Sequence, residues 1–112
     1  MSRPRHYDDL PVSRIIGGNI ATLRAVRGWS QRTLAARTQT GVGKPVGFST
    51  ICRMEKAHDP DTKPVAVCVD DLVTLAAVFD VRPEQLLAEP SCRACMDAPP
   101  RGFTCNACGG VA

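Results

Sequence analysis

Aromatic residues are scarce in this chain, with three Phe, one Trp and one Tyr among 112 residues. A core must therefore be built from Leu, Ile, Val, Ala and Met, enough for four or five short helices in one small domain with a minor appendage. Histidine is scarcer still: there are two, and neither stands in a metal-ligand motif. There is no phosphate loop and no nucleophile–histidine–aspartate set, so an enzyme is not expected. No apolar run approaches the roughly eighteen residues of a membrane span. The first residues hold no apolar stretch of the signal-peptide kind, so the expectation is a cytoplasmic protein with no membrane partner.

The first half also lacks acid. Between Ser13 and Lys56 stand Arg14, Arg24, Arg27, Arg32, Arg37, Lys44, Arg53 and Lys56, opposed by Glu55 alone, for a local charge of +7. The remaining residues hold six basic and ten acidic side chains, −4 in all, so a chain of net charge +3 is strongly polarised. That asymmetry suits a polyanionic partner, or else marks a solvated basic face.

Six cysteines without an export signal suggest metal before disulfides. Four are paired as Cys92-x-x-Cys95 and Cys105-x-x-Cys108. Two residues between thiolates let both sulfurs face one ion, and four thiolates complete the tetrahedral shell of a structural Zn2+. Gly109 suits the knuckle after the last ligand, and Pro99, Pro100 and Gly102 a turn between the knuckles. So short a segment has no apolar core, and metal would supply most of its folding free energy. A dithiol redox pair or an iron–sulfur site is the competing reading. Cys52 and Cys68 fall outside the pattern and are expected to be small buried side chains.

In chain order, residues 1–12 read as a flexible polar arm. Ser13 is a candidate N-cap for a first helix to about Arg27, with Ile16, Ile20 and Leu23 forming its buried stripe. Gly17 and Gly18 are tolerable in it where another backbone comes close. Gly28 suits the left-handed residue that ends it. Ser30 caps a second helix with Leu34 and Ala35 inward, expected to end near Arg37 or Thr38. Residues 39–47 hold three glycines and Pro45 and are read as a loop. A third helix over about 48–57 turns Ile51 and Met54 inward, and Ser49, Thr50 and Arg53 outward. Val65, Val67 and Val69 alternate as a short extended segment would. Asp70 or Asp71 caps a fourth helix carrying Leu72, Leu75, Ala76 and Phe79. Pro83 opens a fifth, with Leu86 and Leu87.

Residues 24–87 resemble the lambda-repressor and Cro-like (XRE-type) helix-turn-helix family. The resemblance is carried by Leu23-Arg24, Arg27-Gly28-Trp29-Ser30-Gln31, Leu34-Ala35, Ser49-Thr50-Ile51-x-Arg53-Met54-Glu55, Asp71-Leu72, Leu75-Ala76 and Pro83-Glu84-Gln85-Leu86-Leu87. It implies an all-α, five-helix DNA-binding domain over 13–90, here followed by a small zinc ribbon over 91–112. The third helix would enter the major groove of double-stranded DNA. By position, Gln31 touches the DNA backbone or orients a neighbour, while Phe48, Ser49 and Arg53 fall where bases are read. Arg24 and Glu55 match an ion pair between helices one and three.

Physically, the forked Arg53 guanidinium can give two hydrogen bonds to guanine, worth about 1–3 kcal/mol of discrimination; the alternative is a phosphate contact. Arg32 and Arg37 would release counterions from phosphates, and Thr50 completes the outward face. Two departures from the family stand out. The turn between helices two and three is some six residues longer, and would be a floppy surface loop or a flap carrying Lys44 to a phosphate. Phe48 replaces a commoner polar residue, and either meets a thymine methyl or turns into the core.

The combined expectation is a sequence-specific regulator of bacterial or phage type, acting as a homodimer on a two-fold site and carrying one structural zinc on Cys92, Cys95, Cys105 and Cys108. A protein-interaction adaptor or antitoxin-like module, whose ribbon docks a protein partner, is the alternative from a different class.

Overall fold

The computed structural model describes residues 9–41, 43–90, 92, 102 and 104–110. Within them lie four α-helices in the order α1 (Pro11–Arg27), α2 (Gln31–Thr40), α3 (Phe48–Lys56) and α4 (Val69–Phe79), then a 3₁₀ turn over Pro83–Leu86. None of these helices is long and apolar enough to cross a membrane.

Helix α1 starts two residues before the expected cap. Pro11 occupies the first turn, where its missing N–H costs nothing. Ser13 therefore lies inside the helix, and its hydroxyl accepts the Val67 N–H at 3.3 Å, tying down the segment ahead of α4. The arm accordingly gives up Pro11 and Val12 to the helix, and residues 1–8 lie outside the described set. Ile16, Ile20 and Leu23 are buried as their spacing requires. Gly17 is the contact point with α3: a Cβ there would overlap the Met54 carbonyl oxygen. Gly28 ends the helix at φ 73°, with Gly28 N–H donating to Ala25 O and Trp29 N–H to Arg24 O. That paired pattern closes the orphan carbonyls of the last turn.

Ser30 caps α2, accepting the Thr33 N–H at 3.0 Å. The helix runs to Thr40, past the expected end, because Thr38 is a buried anchor. Its hydroxyl accepts the Val46 N–H at 3.0 Å and lies 2.7 and 3.0 Å from the Ala35 and Val46 carbonyls. Val46 is itself in the core. The connection to α3 is thus fastened by a side chain and a backbone pair, in contrast to the floppy loop expected there.

The valine alternation after α3 forms no strand in the described residues. Val67 packs on the core while Val65 and Val69 face solvent, and the Val67 N–H is taken by Ser13 and not by a ladder. Cys68, in extended conformation, caps α4 by accepting the Asp71 N–H on sulfur at 3.4 Å. Asp70 and Asp71, expected as caps, lie two and three residues past the actual cap, in the first turn, where their charge still suits the helix's positive end. Leu72, Leu75, Ala76 and Phe79 are buried; with Ile20, Leu34, Ile51, Met54 and Leu86 they make one continuous core. Each of the larger side chains among them, Ala76 aside, contributes about 1.5–3 kcal/mol by leaving water.

The fifth helix is a single 3₁₀ turn. An α-helix through Leu86 would need a donor four residues on, and Pro90 has none. The Leu86 carbonyl instead accepts from the buried Asn19 amide at 3.0 Å, and the Ala88 carbonyl from the same nitrogen at 2.9 Å. Leu86 is fully buried and Leu87 is exposed.

Candidate nucleic-acid interface and cysteine cluster

The first turn of α2 lies beside α3, and a polar network centred on Glu55, in the last turn of α3, joins it to α3 and to the end of α1. Arg24 grips its carboxylate with Nε on Oε2 and Nη2 on Oε1, both at 2.9 Å, and directs Nη1 to the Trp29 carbonyl, also at 2.9 Å. The Glu55 side chain is only 8% exposed and that of Arg24 22%. The hydrogen bond to Glu55 raises the Arg24 pKa further, against a smaller opposing effect of burial. Gln31 donates from Nε2 to Glu55 Oε1 at 2.9 Å, and the Cys52 thiol donates to Gln31 Oε1 at 3.2 Å. The Gln31 amide is thereby oriented, with one N–H left for an outside acceptor.

The basic residues of the first half divide into two groups. Arg14 donates to the Ala57 and Asp59 carbonyls, Arg27 to the Phe79 carbonyl at 2.6 Å, and Arg24 to Glu55. Lys44 lies 3.1 Å from Asp71, whose hydrogen bond raises the lysine pKa. These four are tied to the fold. Arg32, Arg37, Arg53 and Lys56 are exposed and engage no acceptor among the described residues. Ser49 and Arg53 are exposed, whereas Thr50, one turn before Met54 on nearly the same side of the helix, is half-buried.

Two of the unengaged arginines are nevertheless held by rings. Arg37 lies over Trp29 at 4.2 Å from the ring centroid, and Trp29 stacks on buried Phe79 with centroids 5.5 Å apart and planes 13° from parallel. Arg32 lies over Phe48, also at 4.2 Å. Phe48 is 36% exposed and outside the core cluster, so it belongs to the surface.

Cys52 is half-buried and Cys68 exposed, in contrast to the buried pair expected. Their roles, orienting Gln31 and capping α4, left no signal in spacing. The bonds from Asn19 to the Leu86 and Ala88 carbonyls likewise leave no sequence signal, since one Asn on an apolar helix face carries no signature of its partner.

Near the C-terminus, the sulfurs of Cys92, Cys105 and Cys108 lie within 4.8 Å of one another, and Cys95 falls outside the described residues. The Cys92 and Cys105 sulfurs are 3.8 Å apart. Two thiolates 2.3 Å from one tetrahedrally coordinated ion would be separated by about 3.8 Å. Gly109, at φ 77°, returns its N–H to the Cys105 carbonyl at 2.8 Å, and the Gly110 N–H points at Cys108 Sγ at 3.4 Å. Three sulfurs gathered this closely form a donor set that fits a soft divalent ion.

Among solved structures, the chain is similar to the restriction-modification controller protein C.AhdI from Aeromonas hydrophila, with 23% identity over 66% of this chain and 94% of that one, at a TM-score of 0.52. It is also similar to the hypothetical transcription factor NHTF from Neisseria, with 19% identity over 79% of this chain and 84% of that one, at a TM-score of 0.55. No protein-family model and no curated protein matches the chain. At these identities the likeness is one of fold.

Proposed function

We propose that this protein is a sequence-specific double-stranded DNA-binding regulator of transcription, repressor-like and of bacterial or phage type. The observation that carries the reading is the division of its basic residues. Arg32, Arg37, Arg53 and Lys56 remain free for an outside anion, while the oriented Gln31 amide offers one more donor beside them. The fold likeness to a restriction-modification controller and a hypothetical transcription factor adds support.

In this reading α3 enters the major groove. Arg53 reads a guanine, Ser49 and Thr50 meet neighbouring base edges or backbone, and Gln31 and Arg37 fix the register on phosphates. Lys44 reaches a phosphate only by leaving Asp71. A nine-residue α3 covers few base pairs, so two copies would bind a two-fold site. Cys92, Cys95, Cys105 and Cys108 would hold one zinc ion that folds the tail; a closed four-sulfur shell leaves no position for a reacting water, in keeping with a non-enzymatic role. Such a protein works in the cytoplasm, on chromosomal or phage DNA.

In-vitro selection from random duplexes, with zinc-loaded protein at two salt concentrations, tests this. A defined motif whose affinity falls steeply with salt is expected. Salt-insensitive binding to a protein and to no duplex would replace the regulator by the adaptor reading. Arg53→Ala should then relax base preference at one position by about 1–3 kcal/mol; uniform weakening across sequences would reduce Arg53 to a phosphate contact.

A further inference from the structure

Arg32 and Phe48 are the first-turn residues of α2 and α3, and they are in contact. The Arg32 guanidinium carbon sits 4.2 Å above the Phe48 ring centroid. No described residue accepts a hydrogen bond from Arg32, and the ring is 36% exposed at the first position of α3. An arginine on a flexible stem loses rotamer freedom when it must bind; one laid on an aromatic face is already partly ordered, with its N–H donors still available at the rim.

The spacing within the pair suits two neighbouring base pairs. Successive bases along one strand lie about 3.4 Å apart, close to the separation of guanidinium and ring. At the guanidinium rim, two donors match the N7 and O6 acceptors of guanine. Beside it, the apolar edge of the ring matches the C5-methyl of thymine, the one apolar group that bases present in the major groove.

We propose that Arg32 and Phe48 act as one reader of adjacent thymine and guanine, with Arg32 bonding the guanine and Phe48 covering the thymine methyl. Arg32 thereby becomes a base-reading residue and not a phosphate contact. The inference rests on the DNA-binding reading above.

The test uses the full-length, zinc-loaded protein and the duplex motif obtained by selection. Each thymine in turn is replaced by deoxyuridine, which keeps every hydrogen bond and loses only the methyl group. Each guanine is replaced by 7-deazaguanine, which loses the N7 acceptor. At one thymine, deoxyuridine should weaken binding several-fold, and at its neighbouring guanine the deaza base should weaken it about tenfold. Phe48→Ala should abolish the methyl effect and blunt the deaza effect at that step. Arg32→Ala should abolish the deaza effect there, and Phe48→Trp should preserve it.

Selective duplex binding that tolerates both replacements at every position overturns the paired reader and leaves the DNA reading standing. Effects at one step that persist unchanged in Phe48→Ala and Arg32→Ala overturn it equally. Failure to bind any duplex would overturn the DNA reading itself and this inference with it. The base replacements leave the protein unaltered, so the first of these outcomes does not depend on whether a variant folds, and far-ultraviolet circular dichroism of Phe48→Ala and Arg32→Ala checks the fold for the second.

Discussion

Breaking the Arg24–Glu55 pair should cost more than an ion pair at a protein surface. Arg24→Ala leaves a carboxylate that is only 8% exposed, with Gln31 as its remaining partner. Stranding a buried charge in this way costs about 3 kcal/mol. Glu55→Ala leaves a guanidinium that is 22% exposed and still bonded to the Trp29 carbonyl, so water and one acceptor soften the loss to about 2 kcal/mol. The double variant strands neither charge, and should cost about 3 kcal/mol instead of the sum of the two. A coupling energy near 2 kcal/mol follows, well above the 0.2–1 kcal/mol of exposed pairs.

Urea unfolding followed by far-ultraviolet circular dichroism on the four proteins gives the cycle directly. Each kcal/mol should also appear as about 4–8 °C in Tm for a domain of this size. Because Glu55 raises the Arg24 pKa, the arginine's contribution is complete below its unfolded pKa and is lost only as pH rises through the higher folded one. The coupling should therefore be the same at neutral and mildly alkaline pH. A coupling below about 0.5 kcal/mol would place the pair among ordinary surface contacts and refute the argument.

The other predictions concern the packing and the tail. Thr38→Val keeps the shape but leaves the buried Val46 N–H without its acceptor, so a loss of about 1–3 kcal/mol is expected, together with faster amide exchange in the α2–α3 connection; unchanged exchange there would show that the hydroxyl does not fasten it. Gly17→Ala forces α1 away from the Met54 carbonyl and should cost at least about 1–3 kcal/mol by urea unfolding, whereas a neutral result would mean that the contact is loose. Chelation should release one zinc per chain, counted by a metal-indicator dye, while the helical circular dichroism signal persists. Collapse of that signal would instead make the tail part of the helical core.

Much of this architecture was legible because helices announce their ends and their buried stripes. Gly28 and Ser30 mark the end of α1 and the start of α2 through local backbone chemistry, and Leu34, Ile51, Met54 and Leu75 mark the inward faces of α2, α3 and α4 by spacing. The failures share a cause, which is that a side chain's distant partner decides the outcome. Ser13 has the chemistry of a cap and serves as an acceptor for Val67; Cys68 does not resemble a cap and is one. Thr38 and Val46 convert a glycine-rich stretch into an anchored connection through contacts that periodicity does not encode. At the interface, charge pattern pointed to a basic face. Only the geometry separates the arginines that hold the fold from those left available, because Ala57, Asp59 and Phe79 take their bonds through backbone carbonyls, which any residue type provides.

The Asn19 clasp has a consequence for how the protein is made. Asn19 lies in the middle of α1, yet its two acceptors lie 67 and 69 residues further along the chain. Until residue 88 has left the ribosome, the amide at the centre of α1 faces the core without partners, and Leu86, which closes that side, is missing. A fragment that stops short of this point contains every residue of α2 and α3 and still cannot complete the packing around them. Prematurely ended chains would stay open to proteolysis, so truncated copies carrying the basic face would not accumulate to compete with the finished protein.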